Sequence, residues 1–165
     1  MLAGCALVPS GIVACGRETE RPWTGSNFPA FALPSPDGGL HDSRDYLGQP
    51  LLINFWATWC PPCRKEMADL DALHATLGPR GLRLLGISID TDVNLVREFL
   101  RREKLGFTIL LDSGQQWSAS ALSVPGFPTT YLVGRNGVIQ DAWIGPRAWA
   151  DPAIQAAIAA SVGVN

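Results

Sequence analysis

The stretch FWATWCPPCRKE, residues 55 to 66, contains two cysteines two residues apart, after an apolar run and before charged residues. The apolar run that leads into it, Leu51 to Trp56, is continuous, as expected for a strand buried on both faces. Beyond it, apolar residues recur near the helical period and stop before Gly78, which predicts a helix that begins at about Pro61. Cys60 is therefore predicted to lie where a buried strand gives way to a helix.

Three interpretations of the two cysteines are open: a redox pair, half of a metal site, or a stabilising cross-link. A helix N-terminus favours negative charge, so Cys60 is expected to have a lowered pKa and more thiolate at neutral pH. Cys63 lies one turn further along, less exposed and within reach of the Cys60 sulfur. Cys60 would attack a disulfide of a partner protein, and Cys63 would then attack Cys60 and release the partner in its reduced form.

Pro61 and Pro62 stand between the cysteines and have no N–H, so they remove donors that would stabilise a thiolate. Pro62 also suits the first turn of a helix. We therefore expect the pKa of Cys60 to be lowered only moderately. A thiolate that is not strongly stabilised leaves the oxidised pair comparatively stable, which favours a reducing role.

Two of the three interpretations can be weighed from the residues alone. A zinc site needs two more ligands, whereas the only histidines, His41 and His74, stand alone. A purely structural disulfide across so short a loop contributes little through chain entropy. The sequence therefore favours the redox pair.

The remaining chain alternates between strand and helix patterns. An N-terminal hairpin is predicted around the turn signal Asp37-Gly38-Gly39. Later patterns predict strands at 82–89, 107–111, 129–133 and 138–144, and helices from about residue 93 and after Asp151. This order predicts an α/β fold, with a central mixed β-sheet flanked by helices and an N-terminal β-hairpin extension.

Length and charge restrict the class of protein. The chain has 165 residues, is 47% hydrophobic and carries a formal net charge of −2. This length suits one domain with a substantial core. Lys and Arg form no long run that could follow a phosphate backbone, so nucleic acid is not an expected partner.

The first fifteen residues have the profile of a secretory or lipoprotein leader. They carry no charged side chain, and a polar stretch follows at once. Cys15 after IVA resembles the lipidated cysteine of bacterial lipoproteins. No Lys or Arg precedes the apolar run, which suggests that the true start codon lies upstream; in that case Cys5 after LAG is the alternative lipidation site. The other alternative is an apolar N-terminus with two incidental cysteines. We expect residues 1–15 to be the leader, 16–27 a tether and 28–165 the domain, placed outside the cytoplasm.

NFWATWCPPCRKE, together with GFPTTYLV at residues 126–133, resembles the thioredoxin-like fold and specifically the TlpA/ResA-type extracytoplasmic thiol-disulfide oxidoreductases. The resemblance covers roughly residues 28 to 163. It implies that Pro128 is a cis-proline facing the cysteine pair, and that the backbone of Phe127 pairs with an extended substrate segment. It also implies that Trp59 belongs to the substrate-facing surface, and we expect the two prolines of the motif, Pro61 and Pro62, to contribute to substrate binding beside it.

The resemblance bears on two polar residues as well. Glu66 matches an acidic residue that this family places near the active site, where it would relay a proton to or from Cys63. The alternative is an ordinary solvated glutamate. Asn54 occupies the position where cytoplasmic thioredoxins have a buried aspartate. This chain therefore has no carboxylate at that position to carry the proton.

The sequence thus predicts a membrane-tethered protein-disulfide reductase of the periplasm or an equivalent space, with no bound cofactor because the cysteine pair carries the electrons. The resemblance implies a membrane thiol-electron donor of the DsbD/CcdA kind and disulfide-containing clients such as apocytochrome c. Copper-centre proteins and general disulfide repair fit equally well. A peroxiredoxin-like peroxidase and a non-catalytic thioredoxin-like binding module stay open as alternative functions.

Overall fold

The computed structural model describes residues 23–164. Cys5, Cys15, the predicted leader and most of the predicted tether lie outside the described residues. Near the start of the described part, strands β1 (Ala32–Pro34) and β2 (Leu40–Asp42) pair antiparallel. Gly38 in the turn between them has φ of 98°, a backbone conformation that favours glycine. The predicted N-terminal hairpin is confirmed.

A five-stranded mixed sheet forms the centre of the fold. Its strands are β3 (Leu51–Trp56), β4 (Arg83–Ser88), β5 (Thr108–Leu111), β6 (Thr129–Val133) and β7 (Ile139–Ile144), in the spatial order β5-β4-β3-β6-β7. The central strand β3 is parallel to β4 and antiparallel to β6. Every residue of β3 is buried, which explains why its sequence is apolar throughout except at Asn54. The predicted central mixed sheet is confirmed.

Four α-helices connect or follow these strands: α1 (Pro61–Leu77), α2 (Val93–Glu103), α3 (Ser118–Ala121) and α4 (Pro152–Val162). The side chains of Asp92 and Asp151 cap α2 and α4 by accepting hydrogen bonds from backbone N–H groups of the first turn. The bounds of α1 are those predicted from its apolar stripe. The sequence did not predict the one-turn helix α3, because four residues are too few to show a helical period.

Helices α1 and α2 lie on the same face of the sheet. They connect strands that follow one another across the sheet in one direction, and right-handed crossovers then place both helices on one side. The side chains agree with this arrangement. Trp56 packs on Phe99 of α2 with ring centroids 5.0 Å apart, and Asn54, on the same face of β3, bonds to Glu66 of α1. Helix α4 contacts α1 on this face.

The other face of the sheet is covered by aromatic residues from the N-terminal segment and from the residues around α3. Phe55 of β3 stacks on Trp117 and meets Tyr131 edge to face. Trp23 also packs edge to face on Tyr131, and its indole N–H donates to the carbonyl of Leu122 at 3.0 Å. The packed domain therefore extends to Trp23, five residues before the boundary expected from the sequence.

Between residues 23 and 164, no helix combines the length and the apolar character that crossing a membrane requires.

Candidate functional site: a disulfide at the start of helix α1

Cys60 and Cys63 are joined by a disulfide at the N-terminus of α1. Cys60 is the N-cap residue, and its sulfur accepts a hydrogen bond from the backbone N–H of Cys63 at 3.3 Å. Because Pro61 and Pro62 have no N–H, the Cys63 amide is the first backbone donor of the helix, and it points at the Cys60 sulfur. The sequence placed Cys60 at this strand-to-helix junction correctly.

The two cysteines differ in exposure in the order that the sequence predicted. Cys60 keeps 5% of its surface exposed, and Cys63 is fully buried. Of the two cysteines, only Cys60 therefore contributes to the protein surface in this conformation. The difference is small in the oxidised protein, since both residues belong to the hydrophobic core.

Pro128 lies at the same end of the sheet as the cysteines. The Phe127–Pro128 peptide bond is cis, as the family resemblance implies. Thr129 pairs with Phe55 in the antiparallel register of β6 and β3, so Pro128 lies level with the end of β3 that leads into the Cys60 loop. The carbonyl of Pro128 accepts a hydrogen bond from the N–H of Gly145 at 2.8 Å, which fixes this bend against the end of β7.

The residues expected to face a substrate come together around the disulfide. Trp59 is 62% exposed, and its ring meets that of Phe127 edge to face, with centroids 6.2 Å apart. Pro61 is exposed and Pro62 is half-buried on the other side of Cys60. The exposed Trp59, the half-buried Phe127 and the two prolines thus lie around Cys60. Their roles in binding stay predictions.

Glu66 is buried on α1, three residues after Cys63, with only 3% of its surface exposed. The alternative of an ordinary solvated glutamate is therefore wrong. Its carboxylate accepts three hydrogen bonds: from the Asn54 side-chain amide at 2.8 Å, from the Trp149 indole N–H at 3.0 Å, and from the Arg147 backbone N–H at 3.1 Å. Strand β3 and the loop before α4 thus both donate to one carboxyl group of α1.

The surroundings of Glu66 act on its pKa in opposite directions. Burial is the largest effect and raises the pKa of Glu66, because a charged carboxylate loses its hydration. The three donors lower the pKa, since each stabilises the charged form, but they do not cancel the effect of burial. A carboxyl group with a raised pKa is better suited to exchange a proton near neutral pH than a solvated one.

Asn54 links this carboxyl group to the sheet. Besides bonding Glu66, its amide donates to the hydroxyl of Thr130 on β6 at 2.9 Å. Within the described part of the chain, the Asn54 side-chain oxygen is buried without a hydrogen-bond partner. The buried aspartate position of cytoplasmic thioredoxins is thus occupied by an amide that contacts the carboxylate of Glu66.

A second buried carboxylate, Asp90, lies two residues after β4 and is not among the site residues predicted from the sequence. Asp90 accepts hydrogen bonds from the backbone N–H of Thr58 at 2.9 Å, from the Thr58 hydroxyl at 2.6 Å, and from the hydroxyl of Ser88 at 2.7 Å. It therefore holds the loop between β3 and Cys60. The available signal was an acidic residue immediately after a buried apolar strand, a position where a carboxylate needs partners.

Trp149 and Arg147 were also missed as members of the site. Its sequence context indicates only a packing role for Trp149, whereas its indole N–H donates a hydrogen bond to Glu66. The Arg147 guanidinium lies over the rings of Trp143 and Trp149, 5.2 and 6.0 Å from their centroids. No local sequence motif marks the loop that contains Arg147 and Trp149. This loop comes close to Glu66 only when the chain is folded.

Two surface clefts flank the first turn of α1. One, of about 460 Å³, lies between α1 and the loop before α4 and includes Pro62, Glu66 and Arg147 in its lining. The other, of about 450 Å³, lies between α1 and α2; we call it the Arg102 cleft. Pro61 and Lys65 line both clefts, so the two open on either side of the residue that follows Cys60.

Comparison with known proteins agrees with this geometry. Residues 24–142 match the AhpC/TSA family. Thiol-disulfide oxidoreductase ResA of Geobacillus thermodenitrificans is 34% identical over 116 residues, which cover 70% of this chain and 66% of that protein. Thioredoxin-like protein YneN of Bacillus subtilis is 34% identical over 124 residues, covering 73% of this chain and 71% of that protein. A crystal structure from Chlorobium tepidum, assigned as thiol:disulfide interchange protein DsbE, superposes with a TM-score of 0.77 at 28% identity, covering 85% of this chain and 98% of that chain.

The chain therefore belongs to the AhpC/TSA family, within the thioredoxin-like fold. The ResA and DsbE relatives, together with the disulfide-bonded CxxC pair, make it a ResA/TlpA-type member of the thiol-disulfide oxidoreductases. The matched region spans 66% of the length of the ResA relative.

Proposed function

We propose that the protein reduces disulfides of client proteins through the Cys60–Cys63 dithiol. The observation that carries the proposal is a disulfide at a helix N-terminus in which only the first cysteine keeps exposed surface, beside the exposed ring of Trp59. The reduced form of such a pair has a nucleophile that faces solvent and a resolving thiol behind it. Thiolate attack on a disulfide sulfur is the elementary step of this chemistry.

The reaction proceeds in two exchanges. The Cys60 thiolate attacks one sulfur of the client disulfide; a mixed disulfide forms, and the other client sulfur leaves as a thiolate and takes up a proton. Cys63 then loses its proton and attacks the Cys60 sulfur, which forms the Cys60–Cys63 disulfide and releases the second client thiol. The client gains two electrons and two protons, and the protein is left oxidised.

Glu66 is the group that we assign to the proton of Cys63. The two residues are three apart on α1, so they lie on the same side of the helix. Burial raises the pKa of Glu66, which makes its carboxylate a stronger base than a solvated glutamate for accepting the thiol proton in the second exchange. The Asn54, Trp149 and Arg147 donors would hold the carboxylate in place while it does so.

The place of this reaction in the cell follows from the proposed leader. Lipidation at Cys15 would anchor the domain to a membrane on its extracytoplasmic side, where disulfides form and persist. A membrane thiol-electron donor of the DsbD/CcdA kind would return the Cys60–Cys63 disulfide to the dithiol, so that no bound cofactor is needed. Apocytochrome c before haem attachment is one client that fits, and its reduction would serve cytochrome c biogenesis.

Trapping the mixed disulfide tests this function. In the Cys63→Ala variant the second exchange cannot occur, so clients stay attached to Cys60 and can be identified by mass spectrometry after non-reducing purification. The Cys60→Ser/Cys63→Ala double variant is the matched control and should trap nothing. If wild-type protein reduced with dithiothreitol fails to reduce insulin, and Cys63→Ala traps no protein, the domain is a binding module. Faster consumption of hydrogen peroxide than of disulfides would instead support a peroxidase.

A further inference from the structure

The Arg102 cleft is a basic surface in a chain whose formal net charge is −2. It lies between the first turn of α1 and the last turn of α2. Three cations and one carboxylate line it, beside one aromatic ring and one proline; the residues are Pro61, Arg64, Lys65, Phe99, Arg102 and Glu103. All of its charged side chains are exposed. The local charge of the cleft is thus opposite in sign to that of the whole chain.

The cleft adjoins the reactive sulfur. Pro61, which lines it, is the residue directly after Cys60, and Arg64 directly follows Cys63. A polypeptide whose disulfide lies against Cys60 therefore brings the residues near that disulfide to the mouth of the cleft. Groups in the cleft consequently act on the part of a client that surrounds its reacting sulfurs.

The side chains of the cleft are available to a partner. Arg102 makes an ion pair with Glu98 one turn earlier on α2, 3.4 Å long and exposed on both sides. An exposed pair of this kind contributes little to stability, so the guanidinium can turn toward a carboxylate of a client at small cost. Arg64 and Lys65 project from the exposed side of α1. Guanidinium groups bind carboxylates in a bidentate geometry, which gives direction as well as charge.

We infer that the Arg102 cleft selects client proteins that carry acidic residues close to the disulfide to be reduced. This inference rests on the proposed reductase function and adds a substrate preference to it. Complementary charge at the edge of a contact raises the association rate more than it slows dissociation. The preference should therefore appear in the second-order rate constant of the first exchange.

An anionic membrane surface is the other partner that a basic cleft fits. A bilayer lying on this cleft would cover Pro61 and obstruct the approach of a client disulfide to Cys60. A client segment engages the cleft and the sulfur together. The position of the cleft beside the reactive cysteine therefore favours the client.

The test uses three synthetic peptides that share one intramolecular disulfide and differ only in flanking residues, which are acidic, neutral or basic. The full chain, reduced with dithiothreitol and freed of it, is mixed with each peptide, and the exchange is followed by stopped-flow tryptophan fluorescence. We expect the acidic peptide to react several-fold faster than the neutral one, and the basic peptide to react slowest. Raising the ionic strength from about 0.01 M to about 1 M should compress this order, because the Debye length shrinks from about 30 Å to about 3 Å.

Charge reversal assigns the preference to the cleft. Arg102→Glu should reduce or reverse the ratio of acidic to basic peptide rates. The double variant Arg102→Glu/Lys65→Glu should shift this ratio further toward the basic peptide. The ratio is the readout because any change in the intrinsic reactivity of Cys60 affects all three peptides alike. Arg135→Glu is the matched control: it makes the same charge change in the β6–β7 turn at the opposite end of the sheet and should leave the ratio near the wild-type value.

The outcomes separate this inference from the proposed function. If the neutral peptide is not reduced at all, the reductase function fails. If the neutral peptide is reduced but the acidic peptide is no faster, or if Arg102→Glu leaves the ratio unchanged, the inference is wrong while the function stands. Stronger retention of wild-type protein than of Arg102→Glu on phosphatidylglycerol vesicles, with no peptide preference, would assign the cleft to a membrane instead.

Discussion

Glu66 connects the chemistry of the disulfide to the rest of the fold through three donors. Asn54 lies 12 residues away in sequence, Arg147 lies 81 away and Trp149 lies 83 away. A buried carboxylate is costly unless it is hydrogen-bonded, and these donors compensate part of that cost. The carboxyl group is therefore kept inside the protein, where burial raises its pKa.

The raised pKa of Glu66 predicts a pH-dependent contribution to stability. The folded protein binds the Glu66 proton more tightly than the unfolded chain does, so this contribution is fully present below the ordinary pKa of 4.5 and is lost as pH rises toward the folded pKa. Glu66→Gln has no such titration. We therefore expect the unfolding free energy of wild type minus that of Glu66→Gln to decrease between pH 4 and pH 7, measured by urea unfolding of the oxidised proteins.

Glu103→Gln is the control for this series, because it removes an exposed carboxyl group at the end of α2. Comparison with this variant separates the effect of the buried carboxyl group from the loss of one negative charge. A Glu66→Gln difference that is flat with pH, or that increases, would show that burial does not raise the pKa of Glu66 in the folded protein.

The loop between β3 and α1 carries the reactive Cys60. This loop is held in place by a residue that follows β4, the strand next to β3. Asp90 follows β4 and accepts both the backbone N–H and the hydroxyl of Thr58. Because β3 and β4 are parallel neighbours, their carboxyl ends meet at one edge of the sheet, which brings Asp90 to the Thr58 loop. The position of Cys60 therefore depends on two adjacent strands rather than on its own helix alone.

Asp90→Asn should loosen this loop. The variant keeps the shape of the side chain but removes the charge that strengthens its hydrogen bonds and turns one acceptor into a donor, so the bonds to Thr58 and Ser88 must rearrange, at a cost of about 1–3 kcal/mol of stability. We expect faster hydrogen exchange at the Thr58 amide, measured by NMR. Asp92→Asn, a change to the exposed cap of α2, should affect the first turn of α2 and leave Thr58 unchanged. Equal protection of Thr58 in wild type and Asp90→Asn would mean that Asp90 does not hold the loop.

Much of the fold follows from local patterns, whereas the surroundings of the site do not. The apolar run of β3, the stripe of α1 and the turn at Gly38 are each contained within a few residues, so the sequence predicts them with close bounds. The cysteine pair is visible for the same reason. The surroundings of Glu66 show why the polar network was not predicted. A glutamate near the start of a helix is equally well explained as a solvated residue, and the groups that donate hydrogen bonds to it come from segments distant in sequence.

Over the entire domain, the face of the sheet opposite α1 is closed by aromatic rings from the N-terminal segment. The Trp23 ring packs on Tyr131, and its indole N–H donates to the carbonyl of Leu122. Asn27 forms an antiparallel β-bridge with Val138, just before β7. The sequence around Trp23 is polar and shows no strand or helix period, so a pattern analysis assigns it to the tether. Contacts with distant residues therefore add to the local Trp23–Ser26 turn in ordering this segment.

Trp23→Ala should therefore destabilise the domain, although the residue lies in the predicted tether. We expect a loss of about 2–3 kcal/mol in unfolding free energy, somewhat below the range for a fully buried tryptophan because Trp23 is half-buried. Chemical denaturation checks this. Leu47→Ala, at a side chain that is 76% exposed, should change stability by less than about 0.5 kcal/mol. Equal stability of the two variants would place Trp23 outside the folded unit.

The reactivity of the Cys60 thiol tests the redox assignment. The protein is reduced and then alkylated with iodoacetamide over a range of pH, and mass spectrometric fragmentation distinguishes Cys60 from Cys63. A thiol at the N-terminus of α1 should react first and should titrate below the value of about 8.5 for a free cysteine. If Cys60 titrates at or above that value and reacts no faster than Cys63, the pair is not a nucleophile with its resolving thiol, and the reductase account is contradicted.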